Sequence, residues 1–111
     1  MKIEIEISDK HIRQLISGAG SRYWADDFEW ATSSHGRPWA LAFTIVEYED
    51  GPPKTHTVTP AMLAEGLSKM SKVPRNKGGW HFENCMEGGS DDAWTGDALI
   101  QFAIFGELKY G

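Results

Sequence analysis

The segment from Ala93 to Phe105 constrains the fold of this chain more than any other. Five of its residues fall on one helical face: Trp94, Ala98, Gln101, Phe102 and Phe105. Further apolar residues cover most of the remaining circumference, and a helix that is apolar nearly all round is normally buried. Ser90-Asp91-Asp92 supplies an acidic N-terminal cap and Gly106 ends the segment. We therefore predict a buried C-terminal helix at the domain centre, packed on a sheet.

The remainder of the chain alternates between strand and helix patterns. Strict alternation at residues 2–7 predicts a strand, and apolar spacing after Ser8 predicts a helix at about 9–18. Further strands are predicted at about 28–33, 39–48 and 54–58, with a short one near 80–82. Thr59-Pro60 begins a second helix, which Pro74 should stop.

This order of elements predicts an α+β fold. We expect one domain over residues 1–111, with two layers: a mostly antiparallel sheet of three to five strands and about three helices, the C-terminal one buried. The length of 111 residues and the hydrophobic fraction of 41% are ordinary for a single globular domain.

Composition excludes several classes of protein. The net charge of −5 argues against general affinity for DNA or anionic lipid. The single cysteine, Cys85, cannot form an internal disulfide, and the charged N-terminus does not resemble a signal peptide. No apolar run is long enough to cross a bilayer. We expect a cytoplasmic protein with no cofactor and no contact with membranes.

No residue pattern indicates catalysis or a metal site. The four histidines lack the spacing of zinc motifs, and a chance surface pair explains His81 and Glu83 better than a ligand pair does. Cys85 with His81 would make a nucleophile–base pair, but no orienting motif surrounds it. Asp91 and Asp92 are explained by the helix start. We predict that the chain is not an enzyme.

A basic segment gives one binding hypothesis. Lys69, Lys72, Arg75 and Lys77 cluster at the predicted end of the second helix and after it, and Trp80 follows. Cations near a helix C-terminus are favoured by the helix dipole, which explains the cluster without a ligand. The functional alternative is an anion or nucleotide site formed by Lys72, Arg75, Lys77 and Trp80, with the indole available for stacking.

An aromatic segment gives a second hypothesis, a surface that binds a protein. Its candidate residues are Tyr23, Trp24, Asp26, Asp27 and Trp30. Tryptophan and tyrosine are enriched at interface hot spots, but they are also large core residues. Composition does not separate the two uses, and we expect most of the five tryptophans to lie in or beside the core.

The last twenty residues, Asp92 to Gly111, resemble the ending of a family of small accessory proteins of tailed bacteriophages and prophages. The shared pattern is D-A-x-x-x-D-x-L-I-Q-x-A-x-F-G-E-x-x-Y-G. The start of the first helix, the Tyr23-Trp24 pair and the segment 59–67 also fit in outline. The family's usual Gly-Gly before the Tyr-Trp pair is replaced here by Gly18-Ala19-Gly20-Ser21-Arg22.

The resemblance implies an accessory protein that acts in the cytoplasm of a bacterial host, and it carries over no catalytic residue. It leads to the hypothesis of a non-enzymatic protein that binds a host protein, for example an inhibitor of a defence system such as CRISPR–Cas. The alternatives are a protein that binds nucleic acid or sequesters a signal nucleotide, and a virion or assembly component. A homodimer is compatible with the aromatic content.

Overall fold

The computed structural model describes residues 9–32, 35, 38–77, 79, 81–82 and 93–110. Within them, helix α1 (Asp9–Ser17) precedes strands β1 (Ala25–Thr32), β2 (Pro38–Glu47) and β3 (Lys54–Val58). Helix α2 (Pro60–Met70), a short 3-10 helix (Arg75–Lys77) and helix α3 (Ala93–Phe105) follow. The predictions for a strand at 2–7, the cap residues 8 and 90–92, and for Trp80, Glu83 and Cys85 lie outside the described residues.

The three strands form an antiparallel sheet in the order β1-β2-β3. Strand β1 begins at Ala25, earlier than the predicted start near residue 28, because a register shift between Asp26 and Glu29 lets the strand continue past the acidic pair. Asp27 takes a left-handed backbone conformation there, with φ of 54°. Aspartate tolerates this conformation better than most residues, and a bulge therefore forms at the acidic pair.

Local signals place the other elements where the sequence predicted them. Thr59 caps α2, since its side chain accepts a hydrogen bond from the backbone N–H of Met62 at 3.2 Å. The helix ends at Met70, before Pro74. Strand β3 covers Lys54–Val58, and α1 covers Asp9–Ser17. Local capping and alternation were therefore sufficient to define these elements.

Helix α3 lies at the centre of the core, and this confirms the α+β fold with a buried C-terminal helix. It contacts α1, α2 and β3, and its residues 95–102 are all buried. Apolar side chains of the other elements close around it: Leu15, Ile16, Phe43, Ile45, Leu63 and Met70. One buried helix thus joins the helical layer to the sheet.

Two details differ from the predicted pattern. Trp94 was expected on the buried face of α3, but it lies in the first turn and is 71% exposed. His81 and Phe82 are helical rather than extended. The turn, in which the N–H of Phe82 donates to the carbonyl of Gly79 at 3.1 Å, allows His81 to be buried and Phe82 to pack against the core.

Two glycines allow the neighbouring helices to approach the backbone of α3. A Cβ added at Gly96 would lie 2.1 Å from the carbonyl oxygen of Leu15 in α1. A Cβ added at Gly66 of α2 would lie 2.8 Å from the amide nitrogen of Ala103. Both distances are shorter than van der Waals contact, so both helix pairs require the absence of a side chain at these positions.

Replacing Gly96 with Ala should therefore destabilise the protein by about 3 kcal/mol or more, because α1 and α3 must separate. Gly18→Ala is the matched control, since its added Cβ would meet only the carbonyl oxygen of Gln14 at 3.4 Å. Urea denaturation of both variants and the parent measures the difference. Equal free energies of unfolding for the two variants would contradict the close packing of α1 on α3.

Candidate functional site

Asp97 lies inside α3 and accepts four hydrogen bonds from neutral donors. Its Oδ1 atom accepts from the hydroxyl of Ser21 at 2.7 Å and from the indole N–H of Trp24 at 2.7 Å. Its Oδ2 atom accepts from the phenol of Tyr23 at 2.6 Å and from the amide of Gln101 at 3.0 Å. Four bonds fill the usual acceptor positions of a carboxylate.

The connection between α1 and β1 brings these donors to Asp97. The N–H of Gly20 donates to the carbonyl of Ala93 at 3.0 Å, which fixes the connection against the start of α3. A tight turn follows, in which the N–H groups of Trp24 and Ala25 both donate to the carbonyl of Ser21. This turn directs the polar groups of three side chains, Ser21, Tyr23 and Trp24, at one carboxylate.

Gln101, one turn after Asp97, uses all of its hydrogen-bonding positions while fully buried. Its amide nitrogen donates to Asp97 and to the phenol oxygen of Tyr23, the latter at 3.2 Å. Its carbonyl oxygen accepts the backbone N–H groups of Lys109 at 2.9 Å and Tyr110 at 2.8 Å. Gln101 thereby connects the Asp97 site to the segment that follows α3.

The phenol of Tyr23 is fixed as a hydrogen-bond donor to Asp97. Partial burial and the hydrogen bond to the Asp97 carboxylate raise the pKa of Tyr23 well above its usual range. Because Gln101 donates to the phenol oxygen, the phenol proton points at Asp97. Tyr23 is therefore arranged to remain protonated, and it has no role as a base near neutral pH.

A second buried carboxylate, Glu47 at the end of β2, binds the same segment after α3, residues 106–110, which we call the C-terminal segment. Lys109 donates to it at 2.8 Å, His56 lies 2.8 Å from its other oxygen, and the hydroxyl of Tyr110 donates to it as well. Lys109 also pairs with Asp50 at 3.2 Å. Burial alone would raise the pKa of Glu47, but these three hydrogen bonds outweigh burial and lower it to about 2.

Aromatic stacking links the two carboxylate sites. The ring of Tyr110 stacks on Trp24 with centroids 5.2 Å apart and planes 12° apart. Phe105 packs against Trp24 at 5.6 Å and against His56 at 5.7 Å. Trp24 is fully buried as a result, with its indole N–H on Asp97 and one ring face on the C-terminal segment.

A cavity of about 600 Å³ opens beside Asp97, and we call it the aromatic cavity. Its lining includes Tyr23, Trp94, Asp97, Gln101, Leu108 and Tyr110. Three of these side chains are unusually exposed for their type: Trp94 at 71%, Tyr23 at 47% and Leu108 at 37%. The cavity therefore combines an apolar, aromatic rim with a polar floor that includes a carboxylate.

The structure divides the predicted protein-binding residues among four environments. Tyr23 lines the aromatic cavity, whereas Asp26 and Asp27 line a separate cavity of about 340 Å³ beside the bulge in β1. Trp30 is half-buried under the guanidinium of Arg13, 4.6 Å from its ring centroid. Trp24 is fully buried, so its assignment to a contact surface is wrong: its long-range partners take it into the core.

The predicted basic segment follows α2 on the outside of the fold. Lys72 and Lys77 are exposed, Arg75 begins the 3-10 helix, and Trp80 lies outside the described residues. Lys69 forms a weak pair with Glu65 at 3.7 Å within α2. His81, considered above as a partner of Cys85, is buried with its Nδ1 atom 3.1 Å from the hydroxyl of Thr95.

Sequence reasoning missed the two buried carboxylates that organise the site. Asp97 and Gln101 are four residues apart in an otherwise apolar helix, and this spacing could have identified a buried polar pair. Glu47 ends a strong strand pattern and carried no comparable signal. The exposure of Trp94 was also missed, because helical periodicity alone placed it on the apolar face.

No family model matches the chain, and searches of curated proteins and of solved structures found no match. Among the residues that the structure describes, no group of three or more potential ligands could bind a metal ion. In the same part of the chain, no helix has the length and apolar character needed to cross a membrane.

The Glu47 site predicts a specific dependence of stability on pH. A pKa lowered from 4.5 to about 2 stabilises the fold by at most about 3 kcal/mol above pH 4.5, and this contribution is lost as the pH falls toward 2. Glu47→Gln should therefore be less stable than the parent at pH 7. The difference between their free energies of unfolding, which we call the gap, should narrow between pH 4.5 and 2.

Chemical denaturation across this pH range measures the gap. Glu65→Gln is the control, because the Glu65 side chain is 69% exposed and its pair with Lys69 is long. A gap between parent and Glu47→Gln that stays constant down to pH 2 would contradict the ionised, hydrogen-bonded Glu47.

Proposed function

We propose that this chain is a non-enzymatic binding protein that engages a protein partner through the rim of the aromatic cavity. The observation that carries the proposal is the exposure of Trp94, Tyr23 and Leu108 around one opening. Exposed aromatic side chains that surround a concave site are typical of interface hot spots, where they enter a partner or are covered by it.

The state of the two buried carboxylates supports binding rather than catalysis. Asp97 and Glu47 are each enclosed by hydrogen bonds from neighbouring side chains. Tyr23 is fixed as a donor, with its pKa raised by burial and by Asp97. Groups engaged in this way position the fold, and a general acid or base needs a proton that it can exchange with substrate.

The proposed partner is a protein of a bacterial host. This part of the proposal rests on the resemblance of residues 92–111 to the ending of phage and prophage accessory proteins. In that setting a small binding protein acts in the host cytoplasm, and inhibition of a defence system such as CRISPR–Cas is the role we favour. The acidic net charge of −5 suits binding to a basic surface of such a target.

Affinity capture of the tagged chain from lysate of its bacterial host, with quantitative mass spectrometry, tests the proposal. The parent should recover one host protein in stoichiometric amount. Trp94→Ala should reduce that recovery at least about tenfold, because truncation of a hot-spot tryptophan costs 2 kcal/mol or more. Trp94 is 71% exposed, so the variant should remain folded.

A double variant, Lys72→Glu with Lys77→Glu, is the matched control. It changes two exposed residues of the basic segment, which is separate from the lining of the aromatic cavity. It should recover the same host protein as the parent. Two results together would contradict the proposal: the parent recovers a nucleotide or nucleic acid that the double variant does not, and Trp94→Ala loses no host protein. They would instead indicate that the basic segment is the binding site.

A further inference from the structure

We infer that the aromatic cavity accepts an arginine side chain of the protein partner. The inference rests on the proposed function and adds the chemistry of the contact. It combines two observations at one place: a buried carboxylate whose hydrogen-bond donors among the described residues are all neutral, and exposed aromatic rings around the opening above it.

In the described part of the chain, the hydrogen bonds to Asp97 come from uncharged groups. Its four hydrogen-bond donors, the side chains of Ser21, Tyr23, Trp24 and Gln101, are all neutral. Lys109, the cation of the C-terminal segment, pairs with Glu47 and Asp50. Asp97 is 7% exposed and lines the cavity, so its negative charge acts in a partly desolvated space where a cation is favoured.

The rim of the cavity suits the same kind of group. Trp94 and Tyr23 are exposed, and their ring faces carry the negative end of the aromatic quadrupole. A cation close to such a face is attracted to it, most strongly to tryptophan. The rim and the floor therefore favour the same sign of charge, and an anionic side chain would be repelled by Asp97.

Two features favour guanidinium over ammonium. The acceptor positions of Asp97 are already filled, so an incoming cation would receive few direct hydrogen bonds to replace its water. A guanidinium is weakly hydrated and stacks on aromatic rings, whereas an ammonium is strongly hydrated and needs direct acceptors. The volume of about 600 Å³ is ample for the planar head and its aliphatic stem.

The test uses the ¹⁵N-labelled full chain and two probes, N-acetyl-arginine amide and N-acetyl-citrulline amide. Citrulline has nearly the same shape and lacks the charge. The indole N–H resonance of Trp94, assigned by its loss in Trp94→Leu, should shift saturably with the arginine probe. Citrulline should bind at least about tenfold more weakly. In Trp94→Leu, arginine binding is followed by the side-chain amide resonance of Gln101 and should be about tenfold weaker than in the parent.

Equal shifts from both probes, or no saturable shift with arginine, would overturn the inference. Unchanged arginine affinity in Trp94→Leu would also overturn it, since the cation would then bind elsewhere. The capture experiment is independent of these results. If Trp94→Ala no longer recovers the host protein and the parent does not bind the arginine probe, this inference is rejected and the proposed function is supported. If the arginine probe binds and no host protein is captured, the preference of the cavity for arginine is supported and the proposed function is rejected.

Discussion

The carboxylate of Asp97 is the interaction on which the rest of the structure depends. It lies inside the buried helix α3, and burial of an ionised group is costly unless hydrogen bonds replace its water. The turn from Ser21 to Trp24 supplies three of those bonds and thereby fixes the entry to β1. Hydrogen bonds to a charged acceptor contribute more than neutral ones, so this contact joins α1, β1 and α3 strongly.

Gln101 extends the same network to the end of the chain. By accepting the N–H groups of Lys109 and Tyr110, it places the Tyr110 ring on Trp24 and both side chains on Glu47. The C-terminal segment therefore covers Trp24, which is fully buried. The floor of the aromatic cavity is a product of this arrangement, and the exposed rings of Trp94 and Tyr23 stand at its edge.

Local patterns predicted the elements well, because their causes are local. The Thr59 cap, the alternation in Lys54–Val58 and the apolar spacing of α1 act over a few residues. The roles of the tryptophans depend instead on distant partners. Trp24 meets Asp97 across 73 positions of sequence, and neither residue signals the other. The helical periodicity that correctly predicted a buried α3 also placed Trp94 on its buried face, whereas Trp94 is exposed.

The most direct test of this account is the hydrogen exchange rate of the Trp24 indole N–H, measured by NMR in the full chain. If the Asp97 carboxylate organises the fold, this proton exchanges only on global unfolding, and its protection equals the free energy of unfolding measured with denaturant. Exchange of the Trp24 proton at the rate of an unprotected indole in water would show that the carboxylate does not bind it, and would contradict the central role of Asp97.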